Sequence, residues 1–170
     1  MKTKRQEELI HSFLLTVNNE LSAPFRQLVD CLDELGYSPQ KAKTNIIFRH
    51  DLHNKQIAKL GIKTGKSPRP FFALRFSACR GYSKRFADIV EANILRFTHK
   101  TAGCVDGKCN FCAGAPETHV YTHVFPNGET LMHCGAYAME IPNITAEDVA
   151  EIKRLIAEEH EYLMKHEANR

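Results

Sequence analysis

The chain has 170 residues, 43% of them hydrophobic and 25% charged, with 9 Gly and 7 Pro. That length predicts a single domain, 1–170, able to bury about 70% of the surface it exposes unfolded. The composition excludes intrinsic disorder and collagen-like repeats, and the absence of any apolar run near about 18 residues excludes a membrane span. The net charge of +3 hides an asymmetry: residues 1–100 hold 18 Lys/Arg against 9 Asp/Glu, and residues 101–170 hold 5 against 11.

The first turns carry Lys2, Lys4 and Arg5 ahead of an apolar stretch, as a signal peptide does. Glu7 and Glu8 break that basic region, and His11 and Ser12 interrupt the stretch, so a cytoplasmic protein is expected. Leu9, Ile10, Phe13, Leu14, Val17 and Leu21 recur at helical spacing and predict a helix over 3–20. Ser22 is placed to cap a second helix with Pro24 in its first turn, Phe25, Leu28, Leu32 and Leu35 as its stripe, and Gly36 as its stop.

Three strands follow, Asn45–His50, Lys55–Lys63 and Arg69–Cys79, separated by Asp51-Leu52-His53-Asn54 and by the loop Thr64-Gly65-Lys66-Ser67-Pro68. Their alternation puts Phe72, Leu74, Phe76 and Ala78 on one side and polar or basic residues on the other. A third helix is predicted over 83–98 from Phe86, Ile89, Val90, Ile94 and Phe97. Pro126-Asn127-Gly128 marks a hairpin between Thr118–Phe125 and Glu129–Cys134, and Tyr137–Ile141 reads as a further strand. Thr145 is placed to cap the last helix, with Glu147 and Asp148 at its positive end. The order ααβββαβββα predicts an α+β domain, with an antiparallel sheet of five to six strands and helices on one face.

Between Lys41 and Arg85 stand 12 basic residues and a single acid, Asp51. Period two brings Arg49, Lys59, Lys63 and Arg75 onto one sheet face, where cations so close repel one another and attract an anion. The expected partner is an anionic small molecule or an acidic regulatory partner, with nucleic acid as a second class.

Four of the six cysteines cluster as Cys104-(x4)-Cys109-(x2)-Cys112 and, after 21 intervening residues, Cys134, within a Cys/His-rich insert over 99–135. Two thiolates around the tight turn Cys109-Asn110-Phe111-Cys112 converge on one ion, and four suit structural zinc. The spacing also matches a plant-type [2Fe–2S] pattern. Replacement of one cysteine by His99, His119, His123 or His133 would give a Cys3His site open to water. Cys79, between a strand and a helix N-terminus among cations, is a candidate nucleophile or redox thiol. Nucleotide, hydrolase and zinc-protease motifs are absent from the sequence, so an enzyme is the alternative rather than the leading reading.

The two N-terminal helices, the strand Pro70-Phe71-Phe72-Ala73-Leu74-Arg75-Phe76 and the run Glu140-Ile141-Pro142 before the Asp148 helix resemble uncharacterised bacterial α+β proteins near the GyrI-like small-molecule-binding group. The resemblance covers most of the chain outside the cysteine insert. It implies a ligand-binding domain whose groove lies on the open face of the sheet.

Overall fold

The computed structural model describes residues 3–17, 19–65, 69–96, 120–135 and 137–168. Thr3 caps the first helix reciprocally: its hydroxyl accepts the Gln6 N–H at 3.3 Å, and Gln6 Oε1 accepts the Thr3 N–H at 2.8 Å. Among the described residues the order is α1 (Lys4–Leu15), α2 (Asn19–Glu34), β1 (Tyr37–Ala42), β2 (Asn45–His50), β3 (Gln56–Lys63), β4 (Arg69–Leu74), α3 (Lys84–Arg96), β5 (Val120–Val124), β6 (Thr130–Cys134), β7 (Met139–Ile141) and α4 (Asp148–Ala168). The fold is α+β, with a five-stranded sheet in the order β1-β2-β3-β4-β7 and every neighbouring pair antiparallel. The β5–β6 hairpin forms a second, two-stranded sheet.

The register decides which residues share a face. Phe48 opposes Ala58, Leu60 opposes Phe72, and Phe72 opposes Ile141. These residues enter one core with Leu28 and Leu32 of α2, Val90 and Ile94 of α3, and Ile152 and Ile156 of α4. On the other face, Lys59 lies between Ile47 and Ala73, and Lys63 opposes Arg69. Ile57 is the extra residue of a bulge, because Phe48 pairs with Ala58 while Arg49 pairs with Gln56.

Several predicted elements shift: α1 ends at Leu15 and α2 already begins at Asn19, so Ser22 and Pro24 lie inside α2 instead of at its cap and first turn. Strand β1 was not foreseen: Pro39 removes a ladder donor, which an edge strand tolerates, and its turn to β2 uses Lys43 at φ 53 instead of a glycine or asparagine. The predicted strand over 69–79 stops at Leu74, because the chain beyond it is captured by α4. The last helix begins at Asp148, and the Thr145 hydroxyl donates to Asp148 Oδ2 at 3.2 Å.

The hairpin turns as predicted about Asn127 and Gly128, with Asn127 Oδ1 accepting the Glu129 N–H at 3.0 Å. The rest of the predicted insert, including Cys104, Cys109 and Cys112, lies outside the described residues. No helix of the described residues is long and apolar enough to cross a membrane.

Candidate anion-binding groove

At the Lys63–Arg69 end of the β3–β4 pair, edge strand β7 and helix α3 enclose a groove of about 710 Å³. One wall carries Lys63, Arg69 and Glu140; the other carries Arg85, Asp88, Asn93 and Arg96, with Ile89 and Pro142 as apolar patches. The α3 residues reach it because Phe86, Val90 and Ile94 bury the opposite stripe of that helix in the core.

Two of the groove cations are held by carboxylates. Lys63 Nζ lies 2.6 Å from Glu140 Oε1, both side chains being partly exposed. Arg85 grips Asp148 in a two-pronged pair at 2.7 and 2.9 Å, and its Nη2 also donates to the Asn143 carbonyl at 3.2 Å. Burial alone would raise the Asp148 carboxyl, but the bonds from Arg85 and Thr145 outweigh it and hold that carboxyl below the usual carboxylate range. Arg85 is therefore a fixed, pre-oriented cation at the rim. Lys63 and Arg69 are directly opposed on neighbouring strands, and because Glu140 already offsets Lys63, Arg69 is the cation of this pair left for an anion to engage.

Of the sequence-derived binding residues, Arg49, Lys59 and Lys63 share the polar face by register. Each already has an intramolecular engagement. Arg49 Nη1 donates to the Asn54 carbonyl at 2.7 Å, and Lys59 Nζ sits 5.5 Å from the centre of the Phe71 ring. Arg75 does not join them. It is buried, its Nε 2.7 Å from Glu159 Oε1 and 3.0 Å from Ser77 Oγ, because the chain leaves the sheet after Leu74 and α4 supplies the counter-charge. Arg69, Arg85 and Arg96 complete the groove and were missed; Arg69 was legible as the partner of Lys63 had the hairpin register been drawn.

The β4–α3 connector is stitched to α4. Glu159 Oε2 accepts the Ala78 N–H at 2.7 Å, Glu158 the Arg80 N–H at 3.2 Å and Glu151 the Ser83 N–H at 2.8 Å. Arg154, which also pairs with Glu158, donates to the Arg80 and Gly81 carbonyls at 3.2 and 3.1 Å. Cys79 is fully buried here with its thiol toward the Leu155 carbonyl at 3.4 Å. Burial first, then Glu159 and Glu158, push that thiol well above its ordinary range, opposite to what a nucleophile or redox thiol needs.

On the hairpin, Tyr121 opposes His133, and both rings pack on Phe76 at 5.1 and 5.5 Å between centres. Cys134, next along β6, shares its face with Val120, Thr122 and Met132, the side away from Phe76. Of the candidate ligands, then, Cys134 faces one way and His123 and His133 the other. His99 and His119, like Cys104, Cys109 and Cys112, lie outside the described residues. Among the described residues no three His, Cys, Asp or Glu side chains are grouped to hold a metal ion. No family model, curated protein or solved structure matches the chain.

Proposed function

We propose that this is a cytoplasmic, non-enzymatic domain that binds an anionic small molecule in the groove between β3–β4, β7 and α3. The observation that carries the reading is the convergence of Lys63, Arg69, Arg85 and Arg96 on one concave site, where Glu140 offsets Lys63 and Asp148 fixes Arg85 in place. The resemblance to the GyrI-like group points the same way. Zinc on Cys104, Cys109, Cys112 and Cys134 has a structural role in this reading, bracing the hairpin and not taking part in binding. The burial of Cys79 leaves the enzyme or redox alternative without its thiol.

Thermal melts in pyrophosphate and in citrate, against chloride at equal ionic strength, test the reading. An anion at about 100 times its Kd stabilises by about 2.7 kcal/mol, a rise in Tm of roughly 5–10 °C for a chain of this size. Lys63→Glu with Arg69→Glu should abolish that rise. Unchanged melting in every anion, or an unchanged response in the double variant, would sink the groove. Binding only to oligonucleotides, with a steep fall of log K against log[salt], would transfer the reading to nucleic acid.

A further inference from the structure

Four aromatic or imidazole rings meet at the other end of the sheet. Tyr37 and His50 are cross-strand partners on β1 and β2, with ring centres 4.9 Å apart. His53, in the β2–β3 turn, stacks on His50 at 4.2 Å and an interplanar angle of 11°. His160 of α4 closes the group, its Nδ1 3.2 Å from the Tyr37 hydroxyl and its ring centre 5.6 Å from that of His50. Gly36, at φ 81 after α2, makes room, since a Cβ there would lie 3.2 Å from His50 Nε2.

We propose that His160, Tyr37, His50 and His53 form an acid-released latch that holds the C-terminal half of α4 against the β2–β3 turn. The turn is tied through imidazole lone pairs: His50 Nδ1 accepts the Leu52 N–H at 3.3 Å, and His53 Nδ1 accepts the Lys55 N–H at 3.1 Å. A proton on His160 places a charge in this partly buried ring group and leaves its Nδ1 unable to accept from the Tyr37 hydroxyl, so α4 releases Tyr37 and the His50 ring to which the turn is tied.

The elements that supply or adjoin the cluster also carry charged residues. Glu161 lies on α4, Asp51 and Lys55 in the turn, and Asp33 and Glu34 at the end of α2. The Glu159–Arg75 pair bears on Tyr37. Burial, then His50, hold the His160 imidazole below its ordinary value of 6.5, with Glu161 pulling the other way. Burial and Glu159 push the Tyr37 hydroxyl up, so it keeps its proton.

The sign follows. The closed latch binds fewer protons than the open one, so closure is fully favoured above 6.5 and is lost as pH falls through the lowered His160 value.

Hydrogen exchange of the whole chain between pH 7.5 and 5.5, corrected for intrinsic chemistry, reads the latch at the Leu52 and Lys55 amides against Leu60 in the middle of the sheet. The expected result is opening at Leu52 and Lys55 that grows by up to about tenfold per pH unit below the ordinary histidine value, with Leu60 unmoved. His160→Gln, which keeps a polar partner for Tyr37 but does not titrate, should flatten the response. Equal acceleration at Leu60, or an undiminished response in His160→Gln, would overturn the latch. Should that variant fail to fold, ring-proton titration of the wild type decides: His160 below 6.5 supports the latch, and at or above 6.5 refutes it.

Discussion

Arg75 and Glu159 show what one residue can hide. Read along a strand, Arg75 falls on the polar face with Lys59; in the fold it is buried against a carboxylate of α4. A buried ion pair is weak support for stability as a whole, but breaking one side leaves an uncompensated charge. Glu159→Ala should therefore cost about 3–5 kcal/mol. Arg75→Met with Glu159→Leu should recover much of that loss. Recovery should stop short because the Ala78 N–H keeps no acceptor, an unmet buried donor costing about 1–3 kcal/mol. Urea titration of the three proteins measures both steps. A single variant as stable as the wild type would show the pair to be solvated. Sequence alone could not reveal this pairing, since the partners stand 84 residues apart and no local rule joins them.

At the scale of elements, alternation was readable where both faces of a strand differ. Strand β2 occupies the predicted residues, because Ile46, Phe48 and His50 are buried while Ile47 and Arg49 are not. Alternation failed at the end of β4, where Arg75 to Cys79 continues the pattern although the backbone has left the sheet to meet Glu151, Glu158 and Glu159. Those glutamates lie on one stripe of α4, where the sequence shows only an excess of acids. Strand β3 contains a further device invisible to patterning. Gly61 opposes Phe71, and a Cβ at Gly61 would lie 2.8 Å from the Phe71 ring and 2.3 Å from Asn45 Oδ1. The Asn45 amide can swing away, whereas the Phe71 ring is largely buried. Gly61→Ala should thus cost about 1–3 kcal/mol by overpacking. In a Phe71→Ala background the same change should be close to neutral. A double-mutant cycle with no coupling would show that the ring does not depend on the glycine.

Across the whole molecule, the charge asymmetry is divided between two places. Part of the basic excess is neutralised by α4, Arg75 by Glu159 and Arg85 by Asp148, while the Arg80 guanidinium turns back to the Ser77 and Cys79 carbonyls and the Tyr121 ring. Another part, Lys63, Arg69 and Arg96, lines the groove beside Arg85. Charge counting located the excess but could not divide it, because the division depends on which strand ends meet which helix.

The hairpin is the last element to place, and its register turns the choice of metal ligands into a measurement. Val124 and Met132 stand exposed on the face that Cys134 shares, while His133 is wholly buried on the Phe76 side. Neighbouring residues on a strand point to opposite faces, so one ion bound at Cys134 leaves His133 out of its shell. Protein purified without chelator should carry about one zinc per chain, the stoichiometry of a closed four-thiolate site. Cys134→Ser should lose it and His133→Gln should keep it. Because metal binding in such a site is also folding energy, chelation should loosen the Tyr121 and His133 amides while those of β2 and β3 hold. Zinc retained in Cys134→Ser but lost in His133→Gln would reverse the assignment of faces to ligands. A visible iron–sulfur absorption would replace zinc with a cluster on the same thiolates.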